Sequence, residues 1–126
     1  MKKILIIDDD AELVESLKQI LEMNSYKVIS ASSGKEGIKK AKTENPDLFI
    51  IDVMMETWSE GFDVVEQLKK EENSCNTPRI LLTGIGIQSP LDSISMSPEM
   101  MGVKFVLQKP VKPADLLQYV RKALNE

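Results

Sequence analysis

Hydrophobic and polar residues alternate along the chain in a pattern of short apolar segments separated by amphipathic ones. Ile4-Leu5-Ile6-Ile7 is a continuous apolar run, the signature of a strand covered on both faces. Over residues 11–24, Leu13, Leu17, Ile20 and Leu21 recur at helical spacing, and Asp10 stands where an N-cap belongs. Residues 26–30 read as a second strand. Ser33 and Glu36 then form a capping box for a helix reaching about Glu44. Asn45-Pro46-Asp47 stops that helix, and residues 48–51 make a third strand. Phe62, Val64, Val65 and Leu68 predict a helix over residues 61–72, residues 80–82 a fourth strand and residues 103–107 a fifth. The last helix starts near Pro113, at its first helical position, and carries Leu116, Leu117, Val120 and Leu124.

Strands alternating with helices predict an α/β fold: an open parallel sheet with helices on both faces. Right-handed crossovers bring the C-terminal ends of all the strands to one edge, where ligands of such sheets bind. Residues 85–101 fit this scheme poorly. They hold four serines and two prolines, so the fourth helix is expected to be short, broken or partly loop. No linker divides the 126 residues, which are read as one domain, 1–126.

Composition removes several classes of function. The net charge of −4 makes direct nucleic-acid binding by general electrostatics a poor reading. The absence of histidine excludes histidine acid–base chemistry, a His-ligated zinc site and a phosphohistidine donor role. The lone Cys75 cannot close an internal disulfide, which suits a reducing, cytoplasmic compartment. The apolar run at the N-terminus stops after four residues at Asp8-Asp9-Asp10, too short for a signal peptide, and no run is long enough to insert in a membrane.

The chemistry gathers at the predicted strand ends. Strand one ends in Asp8-Asp9-Asp10, strand three in Asp52, strand four in Thr83 and strand five in Lys109. Carboxylates meeting at one edge repel unless a cation lies between them, and an all-oxygen set suits Mg²⁺. Metal, ammonium and hydroxyl around one carboxylate would stabilise phosphoryl oxygens while that carboxylate attacks phosphorus. Each residue alone has a plainer reading. Asp10 is best explained as a helix cap, Asp8 and Asp9 could be caps or turn residues, and Thr83 and Lys109 could simply face solvent. Asp52 is the least ordinary, because it follows Leu48-Phe49-Ile50-Ile51 directly and a desolvated carboxylate needs compensation.

In their order, Ile4–Asp10, Asp52-Val53-Met54-Met55, Leu82-Thr83-Gly84 and Leu107-Gln108-Lys109-Pro110 make the chain resemble the receiver domain of two-component response regulators over essentially its full length. The resemblance implies a flavodoxin-like (βα)5 three-layer sandwich with strand order 2-1-3-4-5. It implies Asp52 as phosphoacceptor and Asp8 and Asp9, with Asp52 and the Met54 carbonyl, as Mg²⁺ ligands. It further implies Thr83 as the switch hydroxyl and Lys109 as the lysine that pairs with the phosphoryl group. The donor would be a phosphohistidine on a sensor histidine kinase or phosphotransfer protein. The reader would be a downstream protein target or fused output domain, with the chain itself a monomer or weak dimer. The domain would catalyse only its own phosphorylation and dephosphorylation, and would not be an enzyme on other substrates. The alternative is a pseudo-receiver, a constitutive protein-interaction module without phosphorylation. A metabolic phosphatase or flavin carrier finds no substrate pocket or phosphate-cradling loop in the sequence.

The chain departs from the family pattern in three places, and a further inference concerns lifetime. Glu56 stands where relatives usually have Pro, and Gly61 lies one residue later than the usual Gly, so the loop carrying Trp58 is longer by one. Trp58 is then a lid or partner anchor, or else folds onto its own helix. Thr83 and Lys109 are 26 residues apart, more than is usual, which reshapes the face around helix four and makes dimerisation through it doubtful. Val106 occupies the place of the switch aromatic, and the neighbouring Phe105 points to the opposite face by strand alternation, so the usual coupling to Thr83 is altered or absent. Met54 and Ile85, which would flank the phosphoryl group, cannot orient a water, and slow self-dephosphorylation is expected.

Overall fold

The computed structural model describes residues 1–52, 77–83, 103–108 and 111–125. Five strands, β1 (Lys3–Ile7), β2 (Lys27–Ala31), β3 (Leu48–Asp52), β4 (Arg79–Thr83) and β5 (Val103–Gln108), form one sheet in the order β2-β1-β3-β4-β5, every neighbouring pair parallel. This is the expected 2-1-3-4-5 order. The helices described are α1 (Ala11–Met23), α2 (Gly34–Glu44) and a C-terminal helix (Pro113–Ala123). The helix expected over 61–72 and the segment 85–101 lie outside the described residues.

The sheet has two buried faces because Ile4–Ile7 of β1 and Leu48–Ile51 of β3 are apolar and buried at every position. Ile4, Ile6, Leu48, Ile50, Ile80 and Leu82 share one cluster with Leu17 and Leu21 of α1 and with Leu116 and Val120 of the C-terminal helix. Leu5, Ile7, Phe49 and Ile51 alternate with them, so they face the other way, and are also fully buried. On that second face α2 packs over Ile7. Helices therefore cover both sides of the sheet, as a three-layer arrangement requires.

The helix ends follow the sequence signals closely. Asp10 caps α1, its Oδ1 accepting from Leu13 N at 3.2 Å. Ser33 caps α2, its hydroxyl accepting from Glu36 N at 3.2 Å. The reciprocal bond of the capping box is displaced by one residue, since the Glu36 carboxylate accepts from Ser32 N at 3.3 Å. Lys40 completes the motif, with Nζ 3.0 Å from Glu36 and donating to the Ser30 carbonyl. Together Lys40 and Ser32 hold the Glu36 carboxyl below its ordinary value. Asn45 ends α2 in the left-handed conformation, with φ 48°, before Pro46. Pro113 opens the C-terminal helix as expected.

Strand limits are where the sequence reading shifts. β2 starts at Lys27, not Tyr26. Ser25 adopts a φ of 70° and Tyr26 N still donates to Leu21 O, so the ladder begins only when Lys27 N donates to Lys2 O. β3, β4 and β5 each extend further than expected, through Asp52, through Arg79 and Thr83, and through Gln108. In β5, Val103 pairs with Arg79 but Phe105 with Ile80, so Lys104 is the extra residue of a bulge. Beyond it the register is unbroken, and Phe105 and Val106 lie opposite Ile80 and Leu81, positions on opposite faces of β4.

Candidate metal and phosphoacceptor site

Asp52 is the last residue of β3 and Asp8 directly follows β1, two strands that are neighbours in the sheet. Ile7 pairs with Ile51, so the parallel register carries Asp8 and Asp52 out of the sheet side by side. The chain does not curl away after Ile7, because Asp8 N continues the ladder by donating to Ala31 O at 3.0 Å. Asp10 N then donates to Asp8 Oδ1 at 2.9 Å, which turns the backbone into α1. This turn leaves Asp9 exposed at the rim, while Asp8 and Asp52 are only 2% and 3% accessible.

One carboxylate oxygen from each of Asp8, Asp9 and Asp52 lies within 4.8 Å of the other two. For the two buried groups, like charges at that separation repel by roughly 3 kcal/mol at an effective dielectric of about 20. A cation between them would add attraction that offsets this repulsion. The donor set is oxygen only, which selects a hard cation. Two oxygens on one Mg²⁺ stand at most about 4.2 Å apart, twice the usual metal–oxygen distance. The cluster is thus close to the span such an ion needs, and the exposed Asp9 is the member best able to adjust.

Thr83 ends β4, and Asp52 pairs with Leu82, so the Thr83 backbone stands one residue beyond the partner of Asp52 at the same edge. Gln108, the last residue of β5, pairs with Thr83, and Lys109 follows it in sequence. Lys109 itself, Met54, and the Glu56–Gly61 and Ile85 positions lie outside the described residues. The structure therefore brings together Asp8, Asp9 and Asp52 and sets the Thr83 backbone beside them. Asp10, by contrast, is occupied as a cap, the role its sequence position suggested.

Two contributors to the site escaped the sequence reading. The Ala31 carbonyl pins Asp8 from β2, and Gly37 lets α2 sit directly on Ile7, the residue before the acidic pair. The first is a backbone contact that no side-chain pattern reports. The second left a faint signal, a glycine in a helix interior, where its cost asks for a packing reason.

Comparison with known proteins agrees with this geometry. A family model described as response regulator receiver domain matches residues 4–121. The chain is 36% identical over 125 residues to the transcriptional regulatory protein CpxR of Escherichia coli, covering 99% of this chain and 50% of that protein. It is 45% identical over 71 residues to the alkaline phosphatase synthesis transcriptional regulatory protein PhoP of Bacillus subtilis, 56% of this chain and 29% of the relative. The crystal structure of a CheY-like response regulator receiver domain protein from Methanospirillum hungatei superposes with a TM-score of 0.85 at 30% identity, over 99% of this chain and 94% of that one. The chain spans half or less of the length of these two curated relatives. Among the described residues, no helix is long and apolar enough to cross a membrane. Fold, strand-end carboxylates and family match converge: the chain belongs to the response regulator receiver domains, the phosphoacceptor signalling modules of two-component systems.

Proposed function

We propose that Asp52 is the phosphoacceptor and that Asp8 and Asp9 hold a Mg²⁺ beside it. The convergence of three carboxylates, two of them buried, at the ends of adjacent strands carries this reading. A constitutive binding module has no use for that repulsion, which is why the pseudo-receiver is the weaker alternative. A carboxylate oxygen of Asp52 attacks the phosphorus of a phosphohistidine on a sensor kinase or phosphotransfer protein. The P–O bond forms as the P–N bond breaks, and the electron pair leaves with the donor imidazole. Hydrolysis of the acyl phosphate by water later restores the carboxylate and releases phosphate.

Mg²⁺, when bound, supplies positive charge against the phosphoryl oxygens. Asp8, Asp9, Asp52 and the Met54 carbonyl are its proposed ligands. Lys109 contributes an ammonium to the phosphoryl group and Thr83 a hydroxyl donor. Residues 1–126 act as one receiver domain in the cytoplasm, catalysing only their own modification. The domain does not contact nucleic acid directly, works as a monomer or weak dimer, and presents its altered surface to a protein target or fused output domain. Met54 and Ile85, which the family resemblance sets beside the acceptor, cannot orient a water, so the phosphoryl group is expected to persist; a half-life of seconds in the purified protein contradicts that part. The site reading is tested by following backbone amides during a Mg²⁺ titration. Saturable shifts at Asp8, Asp9 and Asp52, lost in Asp8→Asn, are expected. An unresponsive wild-type protein sinks the metal site.

A further inference from the structure

In the middle of α2, a Cβ added at Gly37 would stand 2.5 Å from Ile7 Cδ1, 2.8 Å from Cγ1 and 3.1 Å from Cγ2. Ile7 has little room to yield. It is fully buried, stiff at χ1 because it is β-branched, and paired on both sides, with Ala31 and with Ile51. It is also the residue directly before Asp8, whose N–H is bonded to Ala31 O. α2 is tied to the end of β2 and the residue after it, through Lys40 donating to the Ser30 carbonyl and the Glu36 carboxylate accepting from Ser32 N. Helix, strand end and Asp8 are therefore linked, and the approach of Gly37 to Ile7 is one of the contacts that join them.

We propose that Gly37 and Ile7 are a complementary pair of positioning residues for the Asp8–Asp9 acidic pair. The inference rests on the reading of Asp8 and Asp9 as Mg²⁺ ligands. A methyl group at position 37 is accommodated only by lifting α2 or by displacing Ile7. Either movement acts on the Asp8–Ala31 hydrogen bond and so on where the carboxylates stand. Helix propensity favours alanine over glycine, so overall stability is pulled in both directions while the site geometry is only disturbed. Ile7→Val removes Cδ1, the nearest atom, and so relieves part of the overlap, while the γ-carbon at 2.8 Å remains.

The test compares wild type, Gly37→Ala, Ile7→Val and the double variant. Mg²⁺ affinity is measured by titration, and amide shifts of residues 8–10 are recorded in metal-free protein. Gly37→Ala is expected to weaken Mg²⁺ binding roughly 10-fold, the low end for residues that hold metal ligands in place. It should move the amides of Asp8, Asp9 and Asp10, and the double variant should recover part of both effects. Ile7→Val alone folds readily, since it removes one methyl group, and its looser contact should move the same amides by less. Wild-type affinity and unmoved amides in Gly37→Ala, or a double variant as weak as the single one, overturn the proposal. If Gly37→Ala does not fold, unmoved amides in Ile7→Val overturn it instead. A wild-type protein that binds no Mg²⁺ refutes the site reading separately, because the metal-free shifts still decide whether this contact controls Asp8–Asp10.

Discussion

The two ends of the sheet treat carboxylates in opposite ways. At the end where the strands begin, Asp47 accepts from Lys3 N at 2.8 Å, and Asp47 N donates back to Lys3 O at 2.7 Å. Nearby, Lys3 Nζ donates to the Glu44 carbonyl at 2.9 Å and stands 3.9 Å from the Glu44 carboxylate. Every acid in that group has a donor or a cation from its own chain. At the end where the strands finish, three carboxylates crowd within 4.8 Å of one another. Asp47 is held by a backbone donor from a neighbouring strand, whereas Asp8, although it accepts from Asp10 N, is gathered with Asp9 and Asp52 against their mutual repulsion. Asp8-Asp9-Asp10 shows both treatments in adjacent residues, since Asp10 caps α1 while its two neighbours converge on Asp52.

That contrast can be broken by mutation. The largest effect falls on metal binding, where Asp8→Asn should lower Mg²⁺ affinity by at least about 10-fold and Asp47→Asn should leave it unchanged. Equal losses in an isothermal titration would erase the distinction between the two ends. Next is Asp47→Ala, which should cost about 1.5 kcal/mol in urea unfolding, because it removes a charged acceptor from the half-buried Lys3 amide. In metal-free protein Asp8→Asn should go the other way and stabilise by about 1 kcal/mol, since one member of the repelling group is neutralised while an acceptor for Asp10 N remains. A loss of stability there would mean the acidic end is already compensated by its own chain.

The smallest effect belongs to Glu36, a largely solvent-exposed carboxylate on the fold-serving side of the contrast. Lys40 and Ser32 hold its folded-state value below the ordinary one, so its stabilisation is present above the ordinary carboxylate range and is lost as pH falls through the lowered value. Glu36→Gln should therefore be slightly less stable than wild type near neutral pH and indistinguishable from it in acid. Thermal melts at a series of pH values check the sign. A difference that grew on acidification would contradict it.

Much of the fold was legible because each signal was local. The runs Ile4–Ile7 and Leu48–Ile51 could only be strands buried on both faces, and Asp10, Ser33 and Pro113 mark helix starts through contacts within one turn. Asp52 was legible for the same reason, as a charge ending an apolar run. What escaped depends on partners distant in sequence. Lys104 is extra only with respect to β4, and Gly37 is required only because Ile7 lies beneath it. Parallel register and interlayer contact are set in the folded sheet, and no window of sequence holds both partners.

The most direct test of the account is intact-protein mass after incubation with Mg²⁺ and acetyl phosphate, beside Asp52→Asn. The account predicts a gain of about 80 Da in the wild-type chain alone, abolished when a chelator is present during labelling. A gain of the same size in Asp52→Asn, or one indifferent to the chelator, would contradict it. So would no gain in a protein that also fails to bind Mg²⁺.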